Sequence, residues 1–149
     1  MESRSYGKGV LTINAPRAQG VSGALNLVGA TDLKDLSVDS GLDLGHIIAV
    51  ALDDLPLATS SRILLQVMSE ERETNHQTEL VSPTVKRIVN IGTDPWQVKE
   101  FSGTVRFRRP DAAQLKVTAL DFNGYATGPV VTADEIKLQR TMLYYLIAR

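Results

Sequence analysis

Apolar residues in this chain recur at every second position, and that spacing most restricts what it can fold into. In "GTVRFRRP", Val105 and Phe107 share one face while Thr104, Arg106 and Arg108 share the other. In "AQLKVTAL", Leu115, Val117 and Ala119 alternate with Gln114, Lys116 and Thr118. Runs of this kind read as strands with one dry and one wet face. Pro110 to Ala113 separate the two runs, so an antiparallel hairpin is expected, with Arg106 and Lys116 on one solvated face.

Other segments add strands of different character. Ile47 to Leu52 in "HIIAVALDD" is continuously apolar, which suits a central strand covered on both sides or capped outside by a loop. "SRILLQVMS" alternates, "VKRIVNIG" is short and β-branched, and Val10 to Asn14 form a strand stopped by Pro16. The closing "IKLQRTMLYYLIAR" carries both periods, and its paired tyrosines favour a strand.

Turn residues follow about every 8 to 12 positions, in "SYGKG", "DSGLDLG", "GTDPW", "RRPD" and "DFNGYATGP". Long helical periods do not alternate with the strands, which argues against a parallel βαβ fold. The polar stretch Ser69 to Glu79, "SEERETNHQTE", reads as an exposed loop. A chain of 149 residues without a low-complexity linker fits one domain over 1–149. The expected architecture is all-β: an antiparallel β-sandwich, jelly-roll or immunoglobulin-like.

Composition removes several chemistries. The absence of cysteine excludes disulfides, thiolate catalysis and cysteine-based zinc sites. A formal charge of −1 gives no global field for nucleic acid or anionic membrane. No apolar run reaches the roughly 18 residues of a membrane span. The start, "MESRSYGKG", lacks the apolar core of a signal peptide.

Asp53 in "VALDDLPLATS" and Asp121 in "TALDFNGYATG" each follow an Ala-Leu pair at the end of an apolar run. Two carboxylates about 5 to 9.5 Å apart could hydrolyse a glycosidic bond. An Asp in this position more commonly accepts backbone N–H groups and opens a turn, and Asn123-Gly124 supply residues that tolerate positive φ. The expectation is one turn device used twice and no catalytic residue. His46 and His76 stand in no ligand-spaced or relay motif. Asp39 and Asp43 could offer oxygens to a structural calcium, although their spacing departs from the calcium-loop pattern and an ordinary turn is favoured. No other cofactor is expected.

Arg106, Arg108, Arg109 and Lys116 form a basic strip whose one interleaved aromatic, Phe107, faces the dry side. That favours a solvated sheet face over a phosphate or acidic-glycan contact. Trp96, in "GTDPWQV", is expected to cap the sandwich core. Its alternative is a surface on which a sugar ring stacks, together with exposed tyrosines. Tyr6, Tyr125, Tyr144 and Tyr145 complete that aromatic set, which is small at 5% of the chain.

The order "INAPRAQGVSG", "VALDDLPLATSSRILLQVMSEERETN", "GTDPWQVKEFSGTVRF", "VTALDFNGY" and "LYYLIAR" resembles a C-terminal accessory β-sandwich found after the (β/α)8 barrel of some bacterial glycoside hydrolases. The likeness spans nearly the whole chain. It rests on Pro16, Arg17, Gln19 and Gly20, on Leu52 to Leu57 with Ser61 to Leu65, and on Gly92, Pro95 and Trp96. It implies a non-catalytic, carbohydrate-binding module of a secreted or cell-surface polysaccharide-degrading enzyme. The hydrolytic carboxylates would lie in a catalytic domain elsewhere in a longer parent. Polysaccharide or oligosaccharide would be the ligand, with Trp96 and Tyr125 as stacking surfaces and Asp121, Asn123 and Arg106 as polar contacts. The alternative is a purely structural sandwich that buttresses the barrel or assembles chains. A small independent hydrolase using Asp53 and Asp121 is a third reading.

Overall fold

A computed structural model describes residues 3–5, 9–128 and 131–149 of the chain. Tyr6 lies outside the described residues. In chain order the strands are β1 (Ser3–Ser5), β2 (Val10–Asn14), β3 (Ala18–Gly23), β4 (Thr31–Asp32), β5 (Leu36–Asp39), β6 (Gly45–Ala51), β7 (Arg62–Ser69), β8 (Glu71–Thr74), β9 (Gln77–Ser82), β10 (Val85–Asn90), β11 (Thr93–Val98), β12 (Thr104–Phe107), β13 (Lys116–Leu120), β14 (Val131–Thr132), β15 (Ile136–Lys137) and β16 (Tyr144–Ala148). They divide between two compact units, Met1–Ser69 with Glu100–Arg149, and Glu70–Lys99.

The first unit is an antiparallel β-sandwich. One sheet has the order β1-β2-β3-β6-β7-β16-β13-β14 and the other β15-β12-β5-β4. Alternation decides which side chains meet between them. Ile47, Ala49, Ile63, Leu65, Val67, Val117, Ala119, Tyr145 and Ile147 from the larger sheet are buried, as are Leu36, Val38, Val105, Phe107 and Ile136 from the smaller. Each such side chain contributes about 1.5–3 kcal/mol by leaving water, which offsets the entropy of ordering the strands.

β16 lies inside the large sheet between β7 and β13, so the ambiguous C-terminal segment is a strand. The buried Tyr145 hydroxyl accepts the Gln139 N–H at 2.7 Å. β6 is also central, between β3 and β7, but only one of its faces is fully dry. Ile48 is half-buried and Val50 is exposed. Across the outward face Val50 stands beside Leu64, and Leu64 beside Leu146.

The expected hairpin between Thr104–Phe107 and Lys116–Leu120 does not form. β12 pairs with β5 and β15, whereas β13 pairs with β14 and β16. The intervening chain carries buried Arg109, Ala112 and Leu115, so it connects the two sheets and makes no tight turn. Arg106 and Lys116 therefore stand on different sheets.

β3 escaped the sequence reading because Gln19 and its glycines obscure the apolar period. Gln19 is fully buried, yet its amide is satisfied: Nε2 donates to Asp35 Oδ2 at 2.5 Å and Oε1 accepts the Asp35 N–H at 2.8 Å.

The second unit is a two-stranded ribbon. β9 pairs with β10 towards its tip and β8 with β11 at its base, all antiparallel. Lys99 N–H donates to the Glu70 carbonyl at 2.9 Å, so the chain enters and leaves the ribbon side by side. Between the two pairings Asn75 has φ 64° and Gly92 has φ 90°. A side chain at Gly92 would place Cβ 2.7 Å from both Glu73 Cβ and the Thr74 carbonyl oxygen, so only glycine fits there.

Ser69 to Glu79 is thus not a loop but the end of β7, then β8, a turn and the start of β9. Strands wetted on both faces need no apolar alternation, and the pattern that marks half-buried strands is missing. All the described buried hydrophobic residues lie between Val10 and Val67 or between Phe101 and Ile147, and the ribbon supplies none of them.

Candidate functional site

The "LDFNGY" turn ends β13 and is built around Asp121. Its Oδ1 accepts the N–H groups of Asn123 at 2.9 Å and Tyr125 at 2.8 Å. The Asp121 N–H donates to the Tyr125 carbonyl at 2.8 Å, and Gly124 takes φ 85°. Asp53 does the same work after β6. Its Oδ1 accepts the Leu55 N–H at 3.2 Å, and its Oδ2 accepts the Ser61 N–H at 2.9 Å and hydroxyl at 3.2 Å. Desolvation pushes the Asp53 carboxyl up, but hydrogen bonds from Ser60, Ser61 and Leu55 outweigh it and hold the group below its ordinary value.

Sheet register separates the two carboxylates. Ala51 aligns through Ile63 and Ile147 with Val117, at the start of β13. Leu120, at the end of β13, aligns through Tyr144 and Gln66 with Ile48. Asp53 and Asp121 continue in opposite directions from these rows, so strand rise and spacing put them roughly 20 Å apart or more. They cannot flank one glycosidic bond.

The same turn presents two aromatic side chains, Phe122 at 73% and Tyr125 at 71% exposure. Beside it lies a cleft of about 160 Å³ lined by Leu120, Asp121, Phe122, Thr141, Met142 and Leu143. Three residues anticipated as ligand contacts, Asp121, Asn123 and Tyr125, therefore share one turn. Their neighbours Phe122 and Met142 were missed, because an aromatic next to a turn Asp resembles an ordinary strand end.

The other two anticipated contacts lie elsewhere. Arg106 is on β12 of the smaller sheet, where it pairs with Glu135 at 2.9 Å. Trp96 is on β11 of the ribbon, opposite Glu73. It is 57% exposed and belongs to the ribbon unit, so it is not among the buried side chains of the sandwich. Its position follows from its strand, which belongs to a ribbon without a core of its own.

The basic strip is also dispersed. Arg108 pairs with Asp32. Arg109 is buried and makes a bidentate contact with Asp111, Nε at 2.6 Å and Nη2 at 2.9 Å, while Nη1 donates to the Leu57 and Ser60 carbonyls at 2.8 Å each. Hydrogen bonds from Arg109 and then Arg149 hold the Asp111 carboxyl far below the usual carboxylate range. This cluster is a structural clamp on the Leu57–Ser60 corner.

His46 meets the Ser22 hydroxyl at 2.6 Å through Nδ1, and His76 contacts the Ile91 carbonyl at 3.2 Å. Asp43 accepts an Asn26 amide hydrogen at 2.8 Å. No group of three or more His, Asp or Glu side chains suited to a metal ion occurs among the described residues.

The ribbon presents the remaining unusual surface. Leu80, Val81, Val85, Ile88, Val89, Ile91 and Trp96 are all exposed on its thirty-residue span, Glu70–Lys99. By alternation and register Thr78, Leu80, Lys86 and Ile88 share one face, whereas Glu79 and Arg87 share the other and form an ion pair.

The fold and these surfaces define an antiparallel β-sandwich that carries a β-ribbon with exposed apolar side chains among charged ones. The chain matches no family model, no curated protein and no solved structure.

Proposed function

We propose that this chain is a non-catalytic accessory module that works by contact with protein, and that the ribbon 70–99 is its contact element. The observation that carries this reading is the exposure of seven large apolar side chains on a unit that adds nothing to the core. They are spread over both faces of the ribbon, Leu80 and Ile88 on one and Val85 beside Arg87 on the other, and exposed apolar surface in this amount often marks a contact element. The resemblance to accessory sandwiches of barrel hydrolases agrees with a buttressing or assembling role. An apolar fluorescent dye added to the chain at about 1 µM tests the reading. The intact chain should enhance dye emission, and a chain with 70–99 replaced by a short turn should not. Equal enhancement by both would count against it.

A carbohydrate contact at the 121–125 turn is a second reading, supported by exposed Phe122 and Tyr125 beside the cleft. Ring faces there could stack on the apolar side of a sugar. Affinity electrophoresis against soluble β-glucans, xylans, mannans and pectins would show retardation that weakens in Phe122→Ala and Tyr125→Ala. Mobility unchanged by every polymer would remove this reading.

A further inference from the structure

The two sheets of the sandwich differ in what they turn outward. An antiparallel sheet face left in water carries polar residues at alternate positions. The smaller sheet keeps to this, with Asp32, Ser37, Asp39, Thr104, Arg106 and Lys137 on its outer face. The larger sheet does not. Register aligns Ile13, Gly20, Ile48, Gln66, Tyr144 and Leu120 in one row across its outer face, from β2 to β13. Val50, Leu64 and Leu146 stand in the row on one side, and Leu11, His46 and Met68 in the row on the other. The three rows hold fifteen positions, and none is Asp, Glu, Lys or Arg. We propose that this face is covered by the same face of a second copy, so that two chains pack sheet to sheet about a two-fold axis.

Three features favour a copy over an unlike partner. The first is the amide at the centre. Gln66 is exposed in the middle of the face, where an apolar occupant would strip it of water and leave it unpaired. A two-fold axis along the Ile13–Leu120 row sets Gln66 against its own counterpart. Two amides satisfy each other there, each donating and accepting once. The second feature is charge. Beyond Leu64 and Leu146 the next row holds Arg62, Ala148 and Lys116. An axis along the strands would oppose the two basic rows. The axis across the strands turns each basic row onto the far end of the other sheet. Lys116 lies four residues before Leu120 and Gly124 four after, so Lys116 comes over the Asp121 turn of the other chain.

The third feature is area. Each outward position of a sheet occupies about 33 Å², so the three rows and the basic row cover on the order of 600 Å². That is about what one partner buries at the lower end for specific contacts. Among the apolar side chains of the face only Val50 is exposed, and the rest are half-buried by neighbours along and across the strands. A face this flat offers little to a small dye and much to a matching sheet, since facing sheets interdigitate their side chains about 10 Å apart. Leu64 then fits against Met68 of the other chain, and Val50 against His46. The expected association is micromolar.

Sedimentation equilibrium of the intact chain from about 1 to about 300 µM tests this, since that span brackets a micromolar constant. The mass should rise from monomer to dimer and stop there, because a two-fold contact is closed. Val50 and Gln66 are exposed, so Val50→Lys with Gln66→Lys should leave the fold intact and weaken the association at least tenfold. Leu80→Lys should change it less than threefold, which separates this contact from the one proposed for the ribbon. The chain has no cysteine, so engineered thiols report proximity cleanly. Gln66→Cys chains should link to one another faster than Lys137→Cys chains, whose thiol lies on the polar sheet. A monomer throughout, growth past a dimer, a dimer indifferent to the lysine pair or lost in Leu80→Lys, or equal cross-linking from both positions would overturn the proposal.

Discussion

Asp53 and Asp121 show how a carboxylate at a strand end is consumed by its own backbone. In each case one Oδ1 accepts the N–H two positions ahead, at 3.2 Å for Leu55 and 2.9 Å for Asn123. Asp121→Ala should cost about 1 kcal/mol in urea unfolding, as for one or two exposed turn hydrogen bonds, while Asp121→Asn keeps the acceptor and should lose less. The Arg109–Asp111 contact is worth more, because Arg109 is almost wholly enclosed at 3% side-chain exposure. Asp111→Asn should cost about 3 kcal/mol near neutral pH, since it leaves a buried guanidinium without its counter-charge. Its pH dependence follows from the lowered carboxyl. The stabilisation is complete above the unfolded-state value near pH 4 and is lost as pH falls towards the folded-state value. The stability gap between the parent chain and Asp111→Asn should therefore shrink when urea unfolding is repeated at about pH 2.5. A gap that stays constant would assign the effect to packing.

At the scale of elements, legibility followed burial. β7, β12, β13 and β16 were readable because one face of each is dry and the alternation is written into their residues. Their pairing was not, since nothing in "RFRRPDAAQLK" distinguishes a hairpin turn from a connection between sheets until Arg109, Ala112 and Leu115 are seen to be buried. β8 and β9 were hidden for the opposite reason, having no core to alternate against. The same logic applies to the site. Asp121, Asn123 and Tyr125 lie within five consecutive residues, so local turn chemistry grouped them. Arg106 and Trp96 could be placed only once the sheets and the ribbon were assembled. A mutation in the ribbon should accordingly act within the ribbon. Gly92→Ala meets the Glu73 side chain and the Thr74 carbonyl at 2.7 Å, so it should speed amide exchange across β8 and β11. Protection of β6, β7 and β16 should be unchanged.

For the whole molecule, the sandwich and the ribbon differ in what they bury. The sandwich holds the described buried hydrophobic residues and the clamp at Arg109, whereas the ribbon holds seven exposed apolar ones. A natural chain retains such a surface when something covers it in its working state. The central claim is that the ribbon is a contact element which the sandwich does not need in order to fold. The most direct measurement is thermal and urea unfolding of a chain in which residues 70–99 are replaced by Asn-Gly, a closure made feasible by the 2.9 Å hydrogen bond between Lys99 N–H and the Glu70 carbonyl. Cooperative unfolding within about 1 kcal/mol of the intact monomer is the predicted result. Loss of cooperative folding on excision would contradict it and make the ribbon part of the structural core.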